Sequence, residues 1–98
     1  MIIRIFRVRV LSGREQDWQE RVEKLSIPWL KSLPGLNAYY PGRPTIGSSE
    51  RTFTMVMLFE SMAAVEAALG VGWCEPVLLG DEATLVESAT VEHFEQFG

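Results

Sequence analysis

Apolar residues alternate with polar ones, or form short unbroken runs, in four segments of the chain, and this pattern predicts four β-strands. Residues 2–11, IIRIFRVRVL, are rich in the β-branched and aromatic side chains that favour strands. RTFTMVMLF at residues 51–59 and the segment 84–95 predict two more strands, and the short LNAYY that follows Pro34 and Gly35 predicts another. The turn-rich PGRPTIGSSE after LNAYY predicts a hairpin loop.

A first helix is predicted directly after the first strand. Ser12 and Glu15 form a capping-box pattern, in which the serine accepts from a free backbone N–H and the glutamate reaches back. Pro28 removes a backbone donor and crowds the carbonyl of Lys24, so we expect a kink or a break around Ser26. Apolar residues at spacings of three and four share one face of this helix: Trp18, Val22, Leu25, Trp29 and Leu33.

A second, shorter helix is predicted after the third strand, with Ser61 as its cap and Gly70 at its end. Its apolar residues share one face: Met62, Val65 and Leu69. The following GWCEPVLL predicts a further helical turn with Pro76 near its start, where a missing N–H does no harm.

The order strand, helix, strand, strand, helix, strand predicts a ferredoxin-like α+β fold. In this arrangement, helices cover one face of a four-stranded antiparallel sheet. The length of 98 residues fits one domain, residues 1–98, and leaves no room for a second.

The predicted strands carry apolar residues on both faces. In the third strand Phe53, Met55, Met57 and Phe59 point one way, and Val56 and Leu58 point the other way. The first strand repeats this pattern, with Ile2, Phe6 and Val8 on one side and Ile3, Ile5 and Leu11 on the other. One layer of helices can bury only one of these faces, so we expect a second copy of the chain to cover the other face in a homodimer.

Composition and charge exclude several classes of partner. The net charge of −4 argues against nucleic acid, because phosphate backbones are bound by clustered Lys and Arg. The first segment is interrupted by arginines and lacks the unbroken apolar stretch of a signal peptide or a membrane span. A lone cysteine, Cys74, allows no internal disulfide, so we expect a cytoplasmic protein.

Five segments together resemble the antibiotic biosynthesis monooxygenase family of dimeric α+β barrels: MIIRIFRVRV, PGLNAYYPGRP, FES, GWCEPV and TVEHFEQF. The resemblance implies homodimers in which two ferredoxin-like sheets face each other, and a small cavity between each sheet and its helices. It also implies oxidation of phenols, quinols or aromatic polyketides by dioxygen, with neither metal nor flavin as a cofactor.

The haem-degrading branch of the same superfamily uses an Asn on the first strand, a Trp in the second helix and a His on the short helix that follows. Here Phe6 stands about where that Asn would lie, the second helix carries alanines, and no histidine occurs between residues 60 and 90. Haem degradation is therefore not expected.

His93, the single histidine, is the candidate catalytic base, because imidazole can take and return a phenol proton near neutral pH. Glu95 on the same strand face could hold its second nitrogen. The alternative is a strand-end histidine at the dimer seam or in solvent. The candidate substrate-binding residues are aromatic, and ordinary packing is the alternative for each: Phe6, Tyr39, Tyr40 and Trp73.

The remaining chemistry is sparse. For Cys74 a small, buried apolar role is favoured over a reactive thiol, and the scattered His and Cys exclude a zinc site. Glu87, Glu92 and Glu95 of the last strand could pair with Arg7 and Arg9 across the sheet or the dimer interface.

Two functions therefore stay open. One is a cofactor-independent monooxygenase acting on a small aromatic substrate, and the other is a non-catalytic, dimeric ligand-binding or regulatory protein. An RNA-recognition domain has the same element order, but RTFTMVMLF lacks the Lys/Arg-Gly-aromatic pattern that such a domain needs.

Overall fold

The computed structural model describes residues 1–98 and contains one sheet of four antiparallel strands. The strands are β1 (Ile2–Val10), β2 (Leu36–Gly42), β3 (Thr52–Phe59) and β4 (Val86–Glu95), in the spatial order β2-β3-β1-β4. Both β1 and β3 are central strands, and the hairpin between β2 and β3 is formed by the turn-rich segment. The predicted ferredoxin-like α+β fold is confirmed.

The helices are α1 (Glu15–Arg21), α2 (Ile27–Lys31) and α3 (Met62–Leu69). A π-helical turn, Val22–Ser26, joins α1 to α2, and 3₁₀ turns occur at Gly70–Gly72 and Glu82–Leu85. None of the helices has the length and apolar character needed to cross a membrane.

The π-helical turn lies where Pro28 was expected to disturb the first helix. Proline cannot donate to the preceding turn, and the chain absorbs this loss by widening Val22–Ser26 before α2 begins. The wider turn rotates the buried face relative to a regular helix. Leu25, which was predicted to share the apolar face of the helix, is therefore 38% exposed, while Leu30 is buried.

The two predicted helix caps have different outcomes. Ser61 caps α3 as predicted, since its hydroxyl accepts from the backbone N–H of Ala64 at 3.1 Å. Ser12 was predicted wrongly, because α1 begins after Arg14 and no side chain caps it. Glu15 does reach back, and its carboxylate accepts from the N–H of Gly13 at 3.2 Å.

The helical turn predicted within GWCEPVLL is also wrong. The 3₁₀ turn comes earlier, at Gly70–Gly72, and residues 76–79 around Pro76 have no regular structure. Backbone carbonyls in this segment are bound by a side chain from β1 instead of by a helix, since Arg4 donates to the carbonyls of Trp73 and Glu75.

The main core lies between the sheet and the helices. Phe53, Met55, Met57 and Phe59 of β3 are buried there with Val8, Val10, Trp18, Leu30, Val65 and Leu85. On the opposite side, Ile3 faces Leu58 and Phe94 across the sheet, and Ile5 faces Val56. We call this surface, defined by Ile3, Ile5, Val56, Leu58 and Phe94, the open sheet face. No helix covers it, and Phe94 is 44% exposed.

Candidate functional site

A narrow cavity of about 40 Å³ lies between the sheet and the broken first helix. Its walls are mainly apolar and are formed by β1, β3, α1 and α2: Phe6, Val8, Trp18, Leu30, Met55 and Met57 are among them. The polar or charged side chains in the wall are Arg4, Ser26, Thr54 and Glu82. A concave, mainly apolar space with a few polar groups is the usual form of a small-molecule site.

Arg4 brings a buried positive charge to this wall, with only 2% of its surface exposed. Its Nη1 donates to the carbonyl of Trp73, and its Nη2 donates to the carbonyl of Glu75 at 2.9 Å. Burial lowers the pKa of Arg4 to about 10, so the guanidinium stays charged at neutral pH. A guanidinium carries five N–H donors, and protein groups bind three of those of Arg4.

The third partner of Arg4 is His93, directly opposite it on β4, where Nη1 lies 2.9 Å from the imidazole Nε2. Because guanidinium nitrogens only donate, Nε2 must accept, and the ring proton of the neutral imidazole must lie on Nδ1. Burial and then the charge of Arg4 lower the pKa of His93 below 6.5. The Trp73 ring contacts the imidazole edge-on, with ring centroids 5.2 Å apart.

The predicted partner Glu95 is exposed and makes no hydrogen bond to His93. The imidazole is therefore held by Arg4 and Trp73. His93 is half-buried behind Arg4 and does not line the cavity itself.

The four aromatic residues predicted to bind substrate do not lie together, and only one of them lines the cavity. Phe6 lines the cavity and stacks on Trp18, with ring centroids 6.4 Å apart. Trp73 lies next to Arg4 and His93, and Tyr39 of β2 packs half-buried against the core on the same side of the sheet. Tyr40 follows Tyr39 along the strand, so it points to the opposite side, where it is 57% exposed.

A second buried charge, Glu82, also lines the cavity and is 1% exposed. Its Oε2 accepts from the hydroxyl of Ser26 at 2.9 Å, and its Oε1 accepts from the backbone N–H of Leu79 at 2.5 Å. No ion pair joins it to Arg4 or to any other cation.

Sequence reasoning missed both charged residues of the cavity wall. Arg4 could have been found, because it lies between Ile2 and Phe6 at the positions of β1 that face the helices. A charge among inward-facing apolar residues of a strand is a signal of function or of a buried network. Glu82 carries no such signal, since it precedes β4 in a segment without periodicity.

The remaining predicted groups lie outside the cavity. Cys74 is exposed, and its predicted burial is wrong, because the preceding residue, Trp73, takes the inward position. Surface ion pairs join Arg7 to Glu92 at 2.9 Å and Arg9 to Glu87 at 3.1 Å, as predicted across the sheet. No group of three or more His, Cys, Asp or Glu side chains comes close enough together to hold a metal ion.

The strand order and the helix layer together define a ferredoxin-like α+β fold. The sequence itself matches no protein-family model and no curated protein. Comparison with solved structures confirms the fold. A candidate antibiotic biosynthesis monooxygenase from Nitrosomonas europaea superposes with a TM-score of 0.74 at 12% identity, over 100% of both chains.

Two further structures extend the comparison. A single-residue variant of MhuD, crystallised with two manganese protoporphyrin IX molecules per active site, has a TM-score of 0.70 at 19% identity, over 98% of this chain and 94% of its own. An uncharacterised NIPSNAP domain protein from Burkholderia xenovorans has a TM-score of 0.73 at 8% identity, over 99% of this chain and 95% of its own. At such identities the likeness establishes the fold alone.

Proposed function

We propose that this protein binds a small phenol or quinol in the cavity beside Arg4 and oxidises it with dioxygen, without a bound cofactor. The observation that carries the proposal is the apolar cavity with a buried guanidinium in its wall. An aromatic ring matches the apolar lining, and a phenolate oxygen matches the cation. The candidate monooxygenase with the same fold supports the oxidation chemistry.

The size of the cavity favours a single ring. About 40 Å³ is far below the 300–1,000 Å³ of sites that take drug-sized ligands. Even a single ring requires the cavity wall to widen. Two of the wall residues, Val22 and Ser26, belong to the π-helical turn, in which no side chain is buried. We therefore favour single-ring phenols and quinols over polycyclic polyketides as substrates.

Arg4 supplies the electrostatic part of the proposed reaction. Loss of the hydroxyl proton leaves a ring anion rich in electrons, and two unused N–H donors of Arg4 can stabilise its oxygen in a site with little water. The anion then donates electrons to dioxygen. For a hydroquinone, one oxygen atom enters a ring C–H position and the other leaves as water, while the quinol supplies all four electrons and becomes a hydroxyquinone.

His93, the base predicted from the sequence, accepts a hydrogen bond from Arg4 on its Nε2. It could take a proton on Nε2 only if the guanidinium released that atom, since Nδ1 already carries the ring proton. A role consistent with its contacts is to position Arg4 through this hydrogen bond, with the Trp73 ring holding the imidazole.

Oxygen consumption by the purified protein on a panel of phenols and hydroquinones tests the proposal. We expect turnover of single-ring quinols above the buffer rate, and one labelled atom in the product when isotopically labelled dioxygen is used. Arg4→Met should abolish the turnover, whereas Arg14→Met, which removes an exposed arginine paired with Asp17, should leave it unchanged. A protein that neither turns over nor binds any member of the panel would refute the proposal.

The second candidate is a non-catalytic binding protein that uses the same cavity. The small number of reactive side chains in the cavity wall favours it. In this case the melting temperature should rise with the ligand while oxygen consumption stays at the buffer rate. The two measurements on the same panel separate binding from catalysis.

We also propose that the chain forms a homodimer through the open sheet face. Ile3, Ile5, Val56 and Leu58 form a contiguous apolar surface there, and soluble monomers seldom leave such a surface in contact with water. The ion pairs of Arg7 and Arg9 lie at one end of the same surface and could fix the register of the two sheets.

A further inference from the structure

Glu82 is a buried carboxylate whose surroundings satisfy only part of its hydrogen-bonding capacity. An ionised carboxylate can accept about four hydrogen bonds. Two donors contact Glu82, the hydroxyl of Ser26 on Oε2 and the N–H of Leu79 on Oε1, so one lone pair on each oxygen stays free. The side chain lines the cavity, so a ligand bound there would lie beside this carboxylate.

No cation lies within ion-pair distance of Glu82. The six ion pairs of the protein lie on or near the surface, and none includes this residue. Burial of a carboxylate without a counterion or a full set of donors is costly, so a donor from a bound molecule would lower the free energy of the site. Ser26, which holds Glu82, ends the π-helical turn, and such turns are frequent at functional sites.

Arg4 and Glu82 occupy different parts of the same wall. Arg4 binds the carbonyls of residues 73 and 75, whereas Glu82 binds the N–H of residue 79 and the hydroxyl of residue 26. The wall of the cavity therefore contains one residue with unused donors and another with unused acceptors. A ligand that fits both carries one oxygen that accepts and one hydroxyl that donates.

We propose that Glu82 accepts the hydrogen bond, and during turnover the proton, of a hydroxyl group on the ring bound in the cavity. This inference rests on the proposed function. The O–H bond of the ligand breaks, the proton moves to a carboxylate oxygen of Glu82, and the electron pair stays on the ring, whose anion Arg4 stabilises. Glu82 lines the cavity and His93 does not, which gives the carboxylate the shorter path to the ligand.

A structural role for Glu82 must be separated from this one. The carboxylate could serve only to hold the turn at Leu79 against the π-helical turn. Glu82→Gln preserves this role, because the amide oxygen can accept from Leu79 and the amide nitrogen can donate to Ser26, while proton acceptance is lost. Asp81→Asn is the matched control, since it makes the same charge change one residue away at an exposed ion pair with Arg21.

The test compares binding of hydroquinone with binding of its dimethyl ether, by calorimetry on the wild-type protein and on both variants. We expect wild type and Asp81→Asn to bind hydroquinone about tenfold more tightly than the ether. Glu82→Gln should lose most of the turnover, because an amide does not take the proton, and part of the preference for hydroquinone, because a neutral acceptor binds a hydroxyl more weakly than a carboxylate does. Its affinity for the ether should be unchanged.

The outcomes separate the two proposals. If wild type binds neither compound, the proposed function fails, and this inference fails with it. If wild type prefers hydroquinone and Glu82→Gln keeps the full preference and the full turnover, only the inference about Glu82 is overturned. Should Glu82→Gln not fold, a crystal structure of wild type with hydroquinone decides. A ligand hydroxyl within hydrogen-bond distance of Glu82 supports the inference, and one placed elsewhere refutes it.

Discussion

Arg4 and His93 lie opposite each other on β1 and β4, with the guanidinium Nη1 of Arg4 2.9 Å from the imidazole Nε2 of His93. The contact requires a neutral histidine, because a protonated imidazole has no acceptor and would face a cation. The hydrogen bond connects the wall of the cavity to β4. Protonation of His93 would therefore remove one of the three contacts that hold the guanidinium of Arg4.

This contact predicts a pH dependence of stability. Burial and the charge of Arg4 hold the pKa of His93 in the folded state below its ordinary value of 6.5. Near pH 6 the unfolded chain then binds more protons than the folded one, so the free energy of unfolding decreases as the pH falls below 6.5. The stability contributed by neutral His93 is present above that pH and is lost as the pH falls through the folded-state pKa.

Urea unfolding at about pH 7.5 and about pH 5.5, at a fixed protein concentration, measures this effect. The variant His93→Gln retains an acceptor for Arg4 and does not titrate. We expect the free energy of unfolding of wild type to decrease more than that of His93→Gln over this interval. Equal decreases in both proteins would contradict the assignment of the effect to His93.

Arg4 should matter for stability as well as for binding. Arg4→Met leaves the partly buried carbonyls of Trp73 and Glu75 without their donor, and an acceptor that loses its partner out of reach of water costs about 1–3 kcal/mol. We expect the free energy of unfolding to fall by about 2–4 kcal/mol. For Arg14→Met, which breaks an exposed pair with Asp17, the expected loss is about 1 kcal/mol or less. Similar losses in the two variants would mean that the buried contacts contribute little.

The strands and the fold could be predicted because the side-chain period of a strand is a local property. Alternation in β3 identified Phe53, Met55, Met57 and Phe59 as one face, and these four residues are buried. The same rule applied to β1 places Arg4 on the buried face with Phe6 and Val8. The information on Arg4 was therefore present in the sequence, and its meaning was missed.

Other features depend on contacts between distant parts of the chain. Regular spacing placed Leu25 on the apolar face of the helix, but the wider π-helical turn moves the buried position to Leu30. Glu82 is buried through a hydrogen bond to Ser26, which lies 56 residues away in sequence. No local pattern specifies such a pairing, so this part of the candidate site could be recognised only in three dimensions.

The proposed dimer predicts a specific effect of one charge on the open sheet face. Leu58→Arg places a cation among Ile3, Ile5 and Val56, where a partner sheet would have to bury it. Sedimentation of wild type should show a dimer at micromolar concentration, and the variant should have a dissociation constant at least about tenfold higher. Ala67→Arg on the exposed side of α3 is the control and should leave the dimer intact. A monomeric wild-type protein would refute the proposed interface.

Gly35, which directly precedes β2, lies against Ala64 of α3. Its φ is +77°, and a Cβ added there would lie 2.7 Å from the Cβ of Ala64. Gly35→Ala therefore combines backbone strain with a steric clash, and we expect a loss of about 3 kcal/mol in the free energy of unfolding. Gly47 has a φ of +93° with nothing near its Cβ position, so Gly47→Ala should show only the backbone part, about 1–2 kcal/mol.

Adding Ala64→Gly to Gly35→Ala should recover the part of the loss that comes from the clash, which a double-mutant cycle measures as a coupling free energy. A coupling near zero, or equal losses for the two glycine variants, would show that α3 moves away from Gly35 at little cost.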